Sequence, residues 1–200
     1  VALFGLQHSL MARPAFKRWW TRFVPEPAER STYLMFSNAA LLALCLLWQP
    51  VGGVLWQAPA GPGAALLYGV YGFGWALLLF ATFLINHFDL FGLRQVWLQL
   101  LGRPYRPVPF KMRSLYRYVR HPLYLGWFTI FWAAPTMTLT HLLFALGTSA
   151  YILIAIQFEE RDLITAHPEY EAYRRRVPML LPFTRRRSGE PAQTVIGSAR

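Results

Sequence analysis

"RYVRHPLYLGWF", residues 117–128, sets Arg117, Arg120 and His121 directly before a run of apolar residues. Charged and titratable groups are costly beside hydrocarbon and need a partner there. A matching feature is "QFEE", residues 157–160, where Glu159 and Glu160 close a second apolar run, Leu139 to Phe158. Between the two lies "APTMTLT", residues 134–140, which holds a proline and no charge and reads as the turn of a helical hairpin. Such a hairpin returns the helix start at 121–124 and the helix end at 157–160 to the same membrane face. The two clusters therefore predict one shared polar pocket holding a charged ligand.

The rest of the chain agrees with a membrane setting. Hydrophobic residues make up 55% of the 200 and charged residues 14%, against about 25% charged in a soluble domain. Further apolar segments run from Ser31 to about Trp48 and from Ala64 to Ile85, the latter close to the 20 or so residues that cross a bilayer. Leu123 to about Ala134, ending before Pro135, is short for a crossing and predicts an arm that is tilted or incomplete. No segment alternates like a barrel strand, so the expected fold is all-α, a polytopic helical bundle. The apolar start, Val1 to Leu6, reads as the end of a spanning helix, with more helix expected upstream.

Charge placement orients the bundle. Arg13, Lys17, Arg18, Arg22 and Arg30 fill the first connection. Arg94, Arg103, Arg106, Lys111, Arg113, Arg117 and Arg120 fill the third, and the other basic residues follow Phe158. The second connection, "QPVGGVLWQAPAGPG", and the hairpin turn carry none. Every Lys and Arg then falls on one face, which the positive-inside rule makes cytoplasmic. The net charge of +11 thus suits an anionic membrane surface rather than nucleic acid. Tryptophans 19, 20, 48, 56, 97 and 127 sit near span ends as an interfacial belt, and "LRQVWLQLLGR", 93–103, reads as an amphipathic helix on the cytoplasmic surface. The polar end after residue 184 reads as a disordered tail.

The chemistry concentrates at the charged face. P-loop, HExxH and GxSxG patterns are absent, and the single cysteine, Cys45, allows no disulfide or Cys-rich metal site. The glycines of "YGVYGFGW", 68–75, lie inside a span and suit helix packing. Pro122 fits the first turn of a helix, whose free amides favour an anionic group. Adjacent Glu159 and Glu160 repel one another, a cost that is offset when a cation or several hydroxyls lie between them.

"YRYVRHPLYLGW" followed by "EERDLI…YEAYRRRVPMLLPF" resembles the C-terminal half of the isoprenylcysteine carboxyl methyltransferase-like membrane methyltransferases, over roughly residues 103–183. That resemblance implies a methyltransferase core at 103–183 behind N-terminal spans at 1–102, with S-adenosyl-L-methionine as cofactor. It sets Tyr116, His121, Pro122, Leu123, Tyr124, Glu159 and Glu160 around the cofactor, with loop residues Val108, Phe110 and Lys111 wrapped over it. The prenylcysteine enzymes carry an arginine a turn before the acidic pair, where this chain has Ala155 and Ile156. "LFGLQHSLMARPAFKRWWTRFVPEPAERSTY" and "FLINHFDLFGLRQVWL" are similar to bacterial methanethiol S-methyltransferases, and with the C-terminal motif this likeness covers nearly the whole chain.

It implies methyl transfer to a small thiol substrate, forming dimethyl sulfide in a pocket embedded in the bilayer of the inner membrane. Prenylcysteine, phospholipid and NADPH-dependent membrane enzymes are the alternatives. An alkanethiol ionises above the cysteine value of about 8.5, so a base or a positive field is needed. His87, His8 and Arg120 are the candidates. Asn86 and Asp89 flank His87 as substrate-binding residues, and Asp89 is placed to orient its ring.

Overall fold

The computed structural model describes residues 1–108, 114–182 and 184. Nine helices and two short strands follow one another in the described residues: α1 (Ala2–Ala12), α2 (Pro14–Trp20), α3 (Glu26–Leu46), β1 (Val54–Gln57), α4 (Pro62–Ile85), α5 (His87–Leu90), α6 (Leu93–Leu100), α7 (Pro122–Trp132), β2 (Thr136–Thr138), α8 (Leu139–Ala166) and α9 (Tyr170–Arg176). The chain is mostly helical, as its apolar runs require. Proline opens α2, α4 and α7, where its missing N–H is no loss.

Two helices, α4 and α8, are long and apolar enough to cross a membrane, and only 22% of each apolar window is buried. A core helix of a soluble domain would bury most of such a window. Leu66, Phe73, Leu79, Phe80 and Phe83 on α4, and Leu143, Leu146 and Ile154 on α8, face outward instead. Only a hydrocarbon solvent makes that arrangement inexpensive.

Helix length answers the question raised by the two glutamates. A 28-residue helix spans about 42 Å at 1.5 Å per residue, well beyond the roughly 30 Å hydrocarbon layer. α8 does not stop at Phe158 but continues to Ala166. A crossing that begins at Leu139 would leave Glu159, Glu160 and Asp162, in the last two turns, beyond such a layer. At 11 residues, α7 reaches only about 17 Å, the incomplete arm expected from the sequence.

The all-α expectation needs one correction. β1 and β2 form a two-stranded antiparallel sheet, with Trp56 opposite Met137 and Gln57 opposite Thr136, and an irregularity between Val54 and Trp56. Ala58 N donates to Pro135 O at 2.8 Å and Leu139 N to Gly53 O at 3.0 Å. The two uncharged connections thus satisfy each other's backbone where α7 stops short. Strands of three or four residues are too brief to leave an alternating signal.

The opposite end gathers the charges. Arg13 reaches Asp162 at 3.5 Å, Lys17 reaches Glu29 at 4.0 Å, and Arg30 Nε donates to Leu90 O at 2.9 Å. The first connection, the α4–α7 connection and the segment after Phe158 therefore meet at one basic end. α6 lies there with Leu93, Trp97 and Leu100 exposed, the apolar side an interfacial helix presents.

α4 and α7 cross where two glycines meet. A Cβ on Gly126 would lie 3.0 Å from Gly74 O and from Leu78 Cβ, and one on Gly74 would lie 3.0 Å from Ile130 Cγ1. Gly69 and Gly72, in the same stretch, have nothing within 4 Å of that position. Close backbone approach substitutes here for hydrophobic burial, which gives helices no advantage over lipid. Gly126→Leu should therefore lower stability by about 1–3 kcal/mol through overpacking. Gly72→Leu, which has open space and gains helix propensity, should not lower it. Thermal unfolding of both variants in one detergent distinguishes them, and equal melting temperatures would mean the helices do not cross here.

Candidate active site

The buried carboxylate of Glu160, 1% exposed, organises the basic end. Its Oε1 lies 2.8 Å from Arg120 Nε and 2.9 Å from His121 Nε2, and its Oε2 lies 3.0 Å from Arg174 Nε. The Arg120 Nε contact is Coulombic, because its N–H is not directed at an acceptor. The same guanidinium donates through its Nη1 to the carbonyls of Arg174 and Val177. Arg120 N and His121 N donate in turn to Pro178 O at 2.9 Å and Met179 O at 3.1 Å. Three segments distant in sequence are fastened together: the entry to α7, the end of α8, and α9 with the strap that follows it.

Glu159 lies next in sequence but about 100° round the helix, and it has a different role. It is exposed, and its Oε2 accepts a hydrogen bond from the Tyr124 hydroxyl at 2.9 Å. His121 and Tyr124 lie one above the other on the first turn of α7, ring centroids 5.5 Å apart. Tyr116 approaches from the short 3-10 turn Ser114–Arg117, and its carbonyl accepts from the Tyr173 hydroxyl of α9 at 2.7 Å. Burial, then the charge of Glu159, pushes the Tyr116 phenol above its ordinary pKa, so it stays protonated. Tyr116, His121, Pro122, Tyr124 and both glutamates are thus gathered at one end. Leu123 is half-buried beside them and Val108 is exposed. Phe110 and Lys111 lie outside the described residues.

The remaining candidates divide between two places. His8 on α1 meets α3, with Ser37 Oγ 3.2 Å from its Nδ1 and the Tyr33 hydroxyl 2.8 Å from its Nε2. Both of its ring nitrogens have partners. Ser9 beside it meets Tyr151 of α8 at 2.9 Å, and Gln7 Oε1 is buried with no partner among the described residues. His87 opens α5, at the mouth of a groove of about 550 Å³ lined by Ser31, Leu34, Met35, Asn38, Phe91 and Leu93. The groove walls are mainly apolar, with few hydrogen-bonding groups.

Asp89 does not orient His87. Its carboxylate is 2.8 Å from Arg94 Nη1 and accepts from the Tyr105 hydroxyl at 3.3 Å. Asn86 Oδ1 accepts from Asp89 N at 3.1 Å and so caps α5. With φ of 139°, Asn86 occupies a backbone region that side-chain-bearing residues rarely adopt. That turn swings His87 back against the end of α4. Its contact there is Thr82, a residue the sequence reading passes over because a threonine within an apolar run carries no signal of its own.

No family model matches the chain, and no solved structure matches it. It is 52% identical over 189 residues to a methanethiol S-methyltransferase of Crocosphaera subtropica, covering 94% of this chain and 74% of that one. It is 51% identical over 187 residues to a methanethiol S-methyltransferase of Mycobacterium tuberculosis, covering 93% and 77% respectively. Nurim of Sus scrofa is 32% identical over 169 residues, covering 80% of this chain and 64% of that protein.

Glu160 and Glu159 should respond very unequally to neutralisation. Glu160→Gln leaves Arg120 without its counter-ion in a buried site, a loss of about 3 kcal/mol or more. Glu159→Gln removes one exposed contact and should change stability by no more than about 0.5 kcal/mol. Thermal unfolding of both variants, with hydrogen exchange over α9, checks the contrast. Equal losses would mean that Glu160 does not hold the segments together.

Proposed function

The chain belongs to the methanethiol S-methyltransferase family, and on that premise we propose that it methylates methanethiol to dimethyl sulfide with S-adenosyl-L-methionine as donor. The basic end is the cytoplasmic end of a bundle in the bacterial inner membrane, by the positive-inside rule. The cofactor occupies the basic end between the first turn of α7 and the end of α8, and the thiol occupies the groove at His87.

The observation that carries the cofactor assignment is the division of labour between the two glutamates. Glu160 is neutralised by the protein itself, whereas Glu159, among the described residues, has one oxygen on the Tyr124 hydroxyl and the other open. The donor's ribose hydroxyls and ammonium group are hydrogen-bond donors that suit an open carboxylate. Its sulfonium charge suits the faces of Tyr124 and Tyr116. Tyr116, His121, Pro122, Leu123, Tyr124 and Glu159 would hold it, with loop 108–111 alongside. When bound, S-adenosyl-L-methionine supplies an electrophilic methyl group for in-line transfer to sulfur.

The protein's own contribution is a dry site and a base. A thiolate and a sulfonium ion neutralise one another in the transition state, so a weakly polar groove favours the reaction and bulk water opposes it. His87 Nε2 takes the thiol proton, and the electron pair of the S–H bond stays on sulfur as nucleophile. Arg120, paired with Glu160 and bonded to two carbonyls, acts by holding the entry to α7. His8, with both nitrogens partnered, ties α1 to α3.

Membranes carrying the protein, given methanethiol and S-adenosyl-L-methionine, should release dimethyl sulfide into the headspace with one equivalent of S-adenosylhomocysteine. Glu159→Gln should weaken cofactor binding about tenfold or more, the value of a charge-assisted hydrogen bond. Methylation of a lipid headgroup without sulfide formation, or oxidation of NADPH, would overturn the reading.

A further inference from the structure

Thr82 lies one turn before the end of α4 and is 3% exposed. Its hydroxyl has a single hydrogen, which is donated to Leu79 O at 2.7 Å. With that hydrogen on the Leu79 carbonyl, the oxygen can meet His87 Nδ1, 2.8 Å away, only as an acceptor. A neutral imidazole carries its proton on one nitrogen only. A donating Nδ1 fixes the proton there and leaves a lone pair on Nε2.

The ring plane is clamped as well. Phe83 stacks on it with centroids 4.4 Å apart and planes 9° from parallel, and Phe91 lies 4.7 Å away. Phe88 meets its edge at 5.7 Å and 84°. Among the described residues Nε2 has no hydrogen-bond partner, and the groove lined by Ser31, Met35 and Asn38 lies beside the ring. The obvious orienting carboxylate, Asp89, is held by Arg94 and Tyr105.

We propose that Thr82 is a positioning residue of the methyl transfer: it holds His87 as the Nδ1–H tautomer, so that Nε2 faces the thiol. The inference rests on the assignment of His87 as the base. The thiol S–H bond breaks toward Nε2, its electron pair remaining on sulfur. The imidazolium so formed keeps its Nδ1–H on the Thr82 oxygen, and its Nε2 proton later passes to solvent.

Thr82→Val keeps the side-chain shape without the acceptor, and Thr82→Ser keeps the acceptor. In detergent-purified protein, kcat should fall about tenfold or more in Thr82→Val, within what a positioned base contributes. It should recover in Thr82→Ser, with KM for S-adenosyl-L-methionine unchanged in both. Nitrogen-15 spectra of histidine-labelled protein, with the His87 signals identified by their loss in His87→Gln, should show a protonated Nδ1 and a bare Nε2. Thr82→Val should mix the tautomers.

A wild-type Nε2–H signature overturns the positioning role. So does a Thr82→Val protein of full kcat when His87→Gln is inactive, a result that leaves the base assignment standing. Full activity in His87→Gln overturns the base assignment and the positioning role with it. If Thr82→Val fails to fold, the wild-type spectrum and the kcat of Thr82→Ser decide.

Discussion

A carboxylate that is 1% exposed at the edge of a membrane bundle is the constraint from which the site's geometry follows. Burying an unpaired ion costs several kcal/mol even after relaxation. Glu160 is therefore compatible with the fold only when Arg120, His121 and Arg174 surround it. These residues belong to two other segments, so meeting the charge requirement also brings the segments together. Arg120 then adds one backbone carbonyl of α9 and one of the strap after it, and the strap accepts the first amides of the α7 entry. With the start of α7 held in this way, Tyr124, one turn in, lies against Glu159. The exposed glutamate has its geometry because the buried one has its partners.

Elsewhere the bundle holds together with little hydrophobic driving force, since α4 and α8 keep most of their apolar windows outward. Its interhelical contacts are of the kinds that function in lipid. Backbones approach closely at Gly74 and Gly126, and side chains hydrogen-bond across helices. Trp132 Nε1 donates to Ser149 Oγ at 3.0 Å, Ser9 meets Tyr151, and His8 meets Tyr33. Each such bond is worth on the order of 1 kcal/mol. A distributed set of them, closed at one end by the small sheet and at the other by the ion cluster, replaces the single apolar core of a soluble domain.

That the chain is mostly helical, with α4 and α8 long and apolar enough to cross a membrane, was readable because it depends on composition, which is local in the chain. The meeting of "RHPLY" with "FEE" was readable for a similar reason, since a hairpin leaves its two ends no alternative. The separate roles of Glu159 and Glu160 were not readable. They depend on which face of α8 meets α9, and Arg174 lies in an ordinary basic run. The end of α8 was expected at Phe158 because an apolar run stops there, yet a helix needs no apolar residues once a neighbouring segment supplies ion partners. Asp89 looked like the partner of His87 by sequence proximity. The unusual backbone at Asn86 turns the ring toward Thr82, five residues back, and no pattern in the residues announces such a turn.

The two histidines beside the bundle show how partners, more than residue type, divide structure from chemistry. His8 is bonded on both sides to hydroxyls of α3, and a ring held at both nitrogens has no free lone pair to offer a substrate. His87 is held at one nitrogen by Thr82 and on its faces by phenylalanines. The groove beside it is mainly apolar, with Ser31 and Asn38 among its lining residues. A groove with few polar groups gives an advantage to the step in which the thiolate and sulfonium charges cancel.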